Sequence, residues 1–418
     1  MNLELINTGS ELMLGRVLNT HQHWLCRQLA DGGRVVTRQV AVADTGADIT
    51  AAVREALGRA DLILTTGGLG PTSDDITRDL IAQLLGRRLV EHAPSLANIE
   101  QFFAERKRPM PASTRVQALV PEGALVLANA HGTAPGLAIK VNPNPFRVGG
   151  KASWLVMLPG PPRELRPMFT NQVAPRIEQR FPLESAFVCR TLKTTGLGES
   201  IIEERIAPPL KALTDAGLEL GYCARVGEVD VRLVAHGGGA EETVAEAARI
   251  IRELIGGHIY GEGDDQLEAV LVRALTERKQ TLALAESCTG GFIANRITNV
   301  PGASVVFHAG LVTYSNEAKQ TFLGVRAETL AAHGAVSEAV VREMAEGARA
   351  RAGADLALAV TGIAGPGGGT EAKPVGTVFI ALATAAQTFV LNPVNRYDRE
   401  TFKYVTSQQA LELLRRRM

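Results

Sequence analysis

The chain has 418 residues, more than the roughly 100–200 residues of one typical domain, which predicts two or three separately packed units. Lysine plus arginine and aspartate plus glutamate both number 44, so the net charge favours neither nucleic acid nor an acidic membrane. The cysteines lack the spacing of a zinc site or a disulfide framework. With no secretory leader and no apolar run near the ~20 residues of a membrane span, a cytoplasmic protein is expected.

Strands and helices alternate through the first part of the chain. In chain order the patterns predict a strand at LELINT, a helix over 19–30, a strand at RVVTRQVAV, a helix over 47–59 and a strand at DLILTT. Further on, PEGALVLANAHGTAPGLAIK predicts strands joined by turns, and SWLVMLPGPPREL predicts a strand followed by a helix near Arg163. This alternation predicts a three-layer α/β domain over residues 1–172, with a parallel sheet covered on both faces.

The remaining chain divides at the turn-rich segment YGEGDDQ. Residues 173–260 combine a helix from Glu199, a possible hairpin in LELGYCARVGEVDVRLVAHG and a helix over 241–255, which predicts a small α+β domain. Residues 262–418 again alternate, with strands at TLALA, HAGLVTY, DLALAVT and VGTVFIALAT between helices. We therefore expect a second α/β domain at the end of the chain.

Three turns in this last domain carry reactive side chains. In AESCTGG, Ser287, Cys288 and Thr289 follow a strand and precede a helix, where backbone N–H groups can hold a phosphate or an oxyanion. The alternative is an ordinary turn in which Ser287 or Thr289 caps the helix. In TYSNEAK, Lys319 is either a general base toward Ser287 or part of a solvated helix face.

The third turn, TGIAGPGGG, supplies Thr361 and a glycine-rich loop that either wraps an anion or serves as a flexible connector. Arg399, at the start of the last helix, can fork onto a phosphate or a carboxylate. We favour Ser287 over Cys288 as the nucleophile, because a reactive cysteine needs a thiolate-stabilising partner and neither His308 nor His333 lies in a motif that supplies one.

Together AESCTGG, TYSNEAK, HGAVSE, VTGIAGPGGGTEAKPVGTV and a late DRE resemble the C-terminal domain of the CinA (competence/damage-inducible) family, the nicotinamide-nucleotide amidase domain. The resemblance implies that nicotinamide mononucleotide is hydrolysed to nicotinate mononucleotide and ammonia, without a cofactor. It implies Ser287 as nucleophile, Lys319 as base and Tyr314 as an assisting residue. It also implies substrate contacts from Thr289, Gly290, Thr361, Gly362, Gly365 and Arg399.

The N-terminal domain carries its own turns. DLILTTGGLGPTSDDITRDL places Gly67, Gly68 and Gly70 after a strand, while Asp74 and Asp75 are expected in the first turn of the next helix. The acidic pair either complements the helix dipole or holds a divalent metal beside a phosphate-bearing ligand. Other candidate contacts at the same sheet edge are Ser10, Glu11 and Arg163.

Residues 1–172 resemble the molybdopterin-binding fold as the CinA family uses it, through TGSEL, TTGGLGPTSDDITRD, HGTAPG and LPGPPREL. The resemblance implies hydrolysis of ADP-ribose to AMP and ribose 5-phosphate with a divalent metal at Asp75 and Asp74, potassium being left open as a further ion. It also implies a homodimer. Two alternatives remain open: a protein of molybdenum-cofactor metabolism, and a non-enzymatic factor in competence or DNA damage, although the neutral charge argues against direct nucleic-acid binding.

Overall fold

The computed structural model describes all 418 residues and forms two compact units, Met1–Phe187 and Val188–Met418. The strands of the first unit are β1 (Leu3–Thr8), β2 (Arg38–Val42), β3 (Leu62–Thr66), β4 (Leu89–Glu91), β5 (Leu119–Pro121), β6 (Leu125–Leu127), β7 (Gly136–Val141) and β8 (Ser153–Leu158). Its helices are α1 (Ser10–Met13), α2 (Thr20–Asp31), α3 (Gly46–Leu57), α4 (Thr77–Leu84), α5 (Ala93–Glu105), α6 (Pro162–Met168) and α7 (Ala174–Arg180). None of the helices combines the length and the hydrophobicity that a membrane span requires.

Six of these strands form one sheet in the order β2-β1-β3-β8-β7-β6. The first four run parallel, and β7 and β6 are antiparallel additions joined by a hairpin. The side chains of β1 and β3 alternate between two apolar cores, with Ile6 and Ile63 facing one and Leu5 and Leu64 facing the other. Because both faces are buried, the predicted three-layer α/β domain is confirmed.

The first domain continues past residue 172, where the sequence pattern placed its end. Helix α7 follows directly, and Val173, Ile177 and Phe181 pack with Phe169 into the core on that face of the sheet. A domain boundary at residue 172 would expose these apolar side chains to water, which is unfavourable. The domain therefore includes α7.

The second unit begins within β9 (Phe187–Thr195) and continues with α8 (Glu199–Asp215), β10 (Glu219–Arg225), β11 (Glu228–His236), α9 (Ala240–Ile255) and β12 (Ile259–Glu262). The sheet order is β10-β11-β9-β12, and β10 and β11 form the antiparallel hairpin expected from the sequence. The two helices and the sheet enclose a separate core around Ile206, Leu233 and Ile251. We call this part the middle domain.

The rest of the second unit is the C-terminal domain. Its elements are α10 (Leu267–Arg278), β13 (Leu282–Glu286), α11 (Phe292–Thr298), β14 (Phe307–Val312), α12 (Asn316–Leu323), α13 (Ala327–His333), α14 (Glu338–Ala352), β15 (Leu356–Gly362), β16 (Val378–Ala383), β17 (Thr388–Leu391) and α15 (Arg399–Arg417). The sheet order is β14-β13-β15-β16-β17, in which β14, β13 and β15 are parallel. Both faces are buried, one against α10, α11 and α15 and the other against α14.

The strand register positions the candidate site. Glu286 at the end of β13 pairs with Val312 of β14 on one side and with Val360 of β15 on the other. The next residue of each strand is therefore brought to the same edge, which sets Ser287 between Thr313 and Thr361. Three turns that are distant in sequence meet there.

Candidate functional site

The C-terminal site centres on a serine and a buried lysine. Lys319 Nζ lies 3.1 Å from Ser287 Oγ, 2.8 Å from the carbonyl oxygen of Thr313 and 3.3 Å from that of Tyr314. A neutral amine has two N–H groups and one lone pair. If the two carbonyls accept the N–H groups, the lone pair is left for the serine hydroxyl. This is the geometry of a base that can take the serine proton.

Burial sets the charge of that lysine. Its side chain is 1 % exposed, and desolvation lowers the pKa of Lys319 from its ordinary value of 10.5. Desolvation outweighs the opposing effect of the neighbouring Cys288 thiol, which favours the cationic form. The sequence alternative of a solvated helix face is therefore wrong, because the helix α12 directs Lys319 inward.

The neighbouring thiol is placed differently. Cys288 is buried, and desolvation raises its pKa to about 12. A thiol in that state is protonated at neutral pH and is a poor nucleophile. Cys288 packs instead in the apolar core beside Leu284 and Ile293.

The helix start after the nucleophile is capped by a residue that the sequence analysis did not select. Glu286 is 1 % exposed, and its carboxylate accepts hydrogen bonds from the backbone N–H groups of Gly291 (3.0 Å), Ile293 (3.1 Å) and Ala294 (2.8 Å). The N–H groups of this helix start are therefore not open to a phosphate, and neither Ser287 nor Thr289 caps them. The oxyanion role expected of the turn stays a prediction for the N–H groups that precede the helix.

The turn keeps other polar groups free. The N–H groups of Cys288 and Thr289 donate to no backbone carbonyl, whereas Gly290 N–H is bonded to the Ser287 carbonyl. The buried hydroxyls of Thr289 and Thr313 have no partner either. Burying a hydroxyl without a hydrogen-bond partner destabilises a protein by roughly 1–3 kcal/mol. We therefore expect a bound ligand or water to supply the partners of these two hydroxyls.

The remaining predicted residues lie at the mouth of the site. Arg399 donates to the Gly365 carbonyl (3.0 Å) and to the Tyr314 hydroxyl (2.8 Å), and both side chains are exposed. The Thr361 hydroxyl donates to the Ala335 carbonyl (2.9 Å), and Gly362 follows at the end of β15. Tyr314 therefore reaches Lys319 through its carbonyl, and its hydroxyl faces Arg399.

We predict that Glu286→Gln lowers the free energy of unfolding by about 1–3 kcal/mol, because the amide nitrogen that replaces one carboxylate oxygen cannot accept a backbone N–H. At present Oε2 accepts those of Gly291 and Ile293, and Oε1 accepts that of Ala294. Urea unfolding at neutral pH measures this change. Asp398→Asn is the matched control, since Asp398 caps the exposed start of α15 and asparagine caps about as well. Equal stability losses in the two variants would contradict the special role of Glu286.

The N-terminal residues lie at a second sheet edge. Gly67, Gly68 and Gly70 follow β3. The N–H of Gly67 donates to the carbonyl of Leu158 (3.0 Å), the last residue of β8, and so extends the pairing of β3 with β8 by one hydrogen bond. The loop after Leu158 leads to Arg163. Arg163 itself is exposed, 3.8 Å from Glu164. The glycine-rich loop after β3 therefore lies beside LPGPPREL. The Arg163 side chain makes no contact with that loop.

Ser10 and Glu11 occupy the short helix after β1. Ser10 and Asp44 bond each other reciprocally, Ser10 N–H to the carboxylate (2.7 Å) and Asp44 N–H to the hydroxyl (3.1 Å), while Glu11 is exposed. Asp44 was not selected from the sequence, although it follows β2 as Ser10 follows β1.

A cleft of about 530 Å³ elsewhere in this domain, between the start of α5 and β6, is lined by none of the predicted site residues.

The acidic pair precedes helix α4, which corrects the expectation that it forms the first helical turn. Asp75 accepts hydrogen bonds from the N–H (3.0 Å) and the hydroxyl of Thr72, and this turn delays the helix to Thr77. The Asp75 carboxylate lies against Gly70, where any Cβ atom would fall 2.2 Å from one of its oxygens. Asp74 is exposed, and its bond to Thr72 lowers its pKa.

This donor set limits the kind of metal site. No group of three or more His, Cys, Asp or Glu side chains is arranged to hold an ion. Magnesium-like ions, however, are commonly held by one or two carboxylates together with substrate phosphates. Asp75 and Asp74 therefore fit a divalent ion that a phosphate ligand completes, and they do not fit an all-protein cage.

The fold and these sites define a protein of three parts, in which a molybdopterin-binding-like α/β domain, a small middle domain and an α/β domain with a serine–lysine pair follow in order. Three family models match in the same order: probable molybdopterin binding domain (residues 4–179), damage-inducible protein CinA KH domain (189–261) and CinA C-terminal domain (264–418). The chain belongs to the CinA family.

Relatives span the whole length. A competence-damage inducible protein of Moorella thermoacetica is 44% identical over 99% of this chain and 98% of its own, and a CinA-like protein of Gemmatimonas aurantiaca is 41% identical over 100% and 96%. Among solved structures, the competence/damage inducible protein CihA of Agrobacterium tumefaciens is 41% identical, covering 35% of this chain and 91% of that chain with a TM-score of 0.35.

Proposed function

We propose that the C-terminal domain is a serine amidohydrolase that converts nicotinamide mononucleotide to nicotinate mononucleotide and ammonia. The observation that carries the proposal is the 3.1 Å separation between Ser287 Oγ and the buried Nζ of Lys319, whose pKa is lowered by burial. A serine needs an adjacent base to become a nucleophile, and a neutral lysine is one known solution.

The first half of the reaction acylates the serine. As Ser287 Oγ bonds the carboxamide carbon, its proton passes to Lys319 Nζ. The oxyanion that develops is accepted by the N–H groups of Cys288 and Thr289, which lie directly after the nucleophile. Collapse breaks the carbon–nitrogen bond while the lysine returns the proton to the leaving nitrogen, which departs as ammonia.

The second half releases the product. A water molecule gives its proton to Lys319 as its oxygen bonds the acyl carbon, and the bond from that carbon to Ser287 Oγ breaks. The proton then returns to the serine oxygen and nicotinate mononucleotide leaves. The unpaired hydroxyl of Thr289 or Thr313 is a suitable partner for the attacking water or the substrate amide.

The N–H groups at the start of helix α11 are already bonded to Glu286 and are not available to the substrate phosphate. The phosphate therefore needs a positively charged side chain elsewhere. Arg399 is the side chain that supports this role, because it is exposed at the mouth and already bonded to the Gly365 loop and to Tyr314. The direct test is ammonia production by the full-length chain, lost on Ser287→Ala.

A second activity is supported by the N-terminal site. A glycine-rich loop leads here to Asp74 and Asp75, and the Asp75 carboxylate lies against Gly70. Two carboxylates that a substrate phosphate could complete as a divalent-ion site favour metal-dependent hydrolysis of ADP-ribose to AMP and ribose 5-phosphate. Bound there, such an ion neutralises pyrophosphate charge. The chain's own contribution is to hold Asp75 in place through Thr72 and through its close approach to Gly70.

We predict that Asp75→Asn lowers AMP formation from ADP-ribose by at least about tenfold with Mg²⁺ or Mn²⁺ present, because one carboxylate ligand is lost. Ammonia release from nicotinamide mononucleotide should be unchanged. Asp79→Asn is the control, since Asp79 lies in helix α4 and pairs with Arg78. Normal AMP formation by Asp75→Asn would remove Asp75 from the site.

A further inference from the structure

The helix that follows the nucleophile is too short to be stable without contacts to the rest of the domain. Helix α11 has seven residues, Phe292–Thr298, and isolated helices shorter than ~12–15 residues are marginal in water. Tertiary contacts must therefore fix it, and with it the turn that carries Ser287. Glu286 fixes its first turn, as described above.

Arg296 fixes the other end of this helix. It is 7 % exposed and donates to Glu268 (2.7 Å), to the Ser407 hydroxyl (2.8 Å) and to the side-chain oxygen of Gln408 (2.8 Å). A buried guanidinium is held where its donors are satisfied, since leaving them unpaired is costly. The position of α11 thus depends on two residues of α15.

Gln408 connects this arginine to the middle domain. Its amide nitrogen donates to Glu228 Oε1 (2.9 Å), which also accepts from the Tyr260 hydroxyl (2.8 Å). All three side chains are buried. The charges fix the amide orientation, because its oxygen must face the guanidinium and its nitrogen must face the carboxylate.

We infer that the middle domain is a positioning element of the C-terminal site. Glu228 orients Gln408, Gln408 completes the hydrogen bonding of Arg296, and Arg296 holds the helix whose preceding turn carries Ser287. Helix α15 also begins at Arg399, nine residues before Gln408, so both helices that border the site meet at this link. The effect on turnover rests on the proposed amidase function, whereas the effect on helix α11 does not.

An exchange of the amide and the carboxylate tests the link in the full-length chain. Gln408→Glu sets two carboxylates against each other, and we expect kcat for ammonia release to fall about tenfold with KM within about twofold, together with faster amide hydrogen exchange in α11. The double variant Gln408→Glu/Glu228→Gln restores an amide opposite a carboxylate. It should recover kcat to within about threefold of the wild type and restore the exchange protection.

Two further variants keep the test decisive. Gln408→Leu removes the hydrogen bonds to Arg296, to Glu228 and, at 3.4 Å, to the Thr195 hydroxyl without adding a charge. It should change kcat and exchange in the same direction by a smaller factor. Glu241→Gln is the matched control, because Glu241 lies in the middle domain and pairs only with Arg190 at the surface. It should match the wild type.

The outcomes separate clearly. If Gln408→Glu and Gln408→Leu lower only the melting temperature and leave kcat and α11 exchange at wild-type values, the link is merely structural and the inference is overturned. Loss that the double variant does not rescue also overturns it. If the folded wild type releases no ammonia, the proposed function fails, and hydrogen exchange in α11 still decides the inference.

Discussion

Replacing Lys319 by methionine is expected to lower kcat for amide hydrolysis by about 10²–10⁴-fold, the usual contribution of a positioned general base. Methionine matches the length of the lysine stem and suits a site that is 1 % exposed, so the chain should still fold. Steady-state ammonia release, with circular dichroism to confirm folding, measures the effect. Wild-type kcat in this variant would exclude Lys319 as the base.

The same lysine should make both activity and stability depend on pH. Its pKa in the folded chain is lowered, so kcat/KM should rise with pH through that lowered pKa as the neutral base forms. Between the lowered pKa and 10.5 the unfolded chain binds more protons, so the free energy of unfolding should rise with pH across that window. Lys319→Met should lose both pH dependences. If Lys319 had only a structural role, the pH–rate profile of this variant would match that of the wild type.

Ser287→Ala is expected to reduce turnover by at least about 10³-fold, because nucleophilic catalysis is lost together with the proton transfer that Lys319 serves. Cys288→Ala removes a buried thiol with a pKa of about 12 and should retain activity within a fewfold range. The two neighbours therefore provide a matched pair in one turn.

The same pair can contradict the assignment. An active Ser287→Ala chain beside an inactive, folded Cys288→Ala chain would make the cysteine the nucleophile despite its burial. Thermal unfolding separates this result from simple destabilisation, because Cys288 packs in the core and its truncation has a cost of its own.

Much of the C-terminal site follows from the sequence because its signals are local. TLALA, HAGLVTY and DLALAVT each lead into a turn with polar residues, and parallel strands carry such turns to one edge. The structure brings Ser287, Thr313 and Thr361 together by this rule, and helix α12 turns Lys319 toward Ser287. The roles of these residues remain predictions.

Other features depend on contacts that no local pattern reveals. Glu286 ends an apolar strand, and only the path of the chain through Gly290 and Gly291 shows that its carboxylate returns to the helix start. The link between Gln408 and Glu228 joins residues 180 positions apart. The delayed start of α4 arises from a side-chain bond between Asp75 and Thr72, which competes with the helical signal of an acidic first turn.

The most direct measurement is the joint production of ammonia and nicotinate mononucleotide from nicotinamide mononucleotide by the full-length chain, beside its Ser287→Ala variant. A serine–lysine mechanism predicts equimolar products from the wild type and none above background from the variant, with both chains folded. Equal release by the two chains would contradict Ser287 as the nucleophile. A folded wild type that forms neither product would contradict the proposed amidase itself.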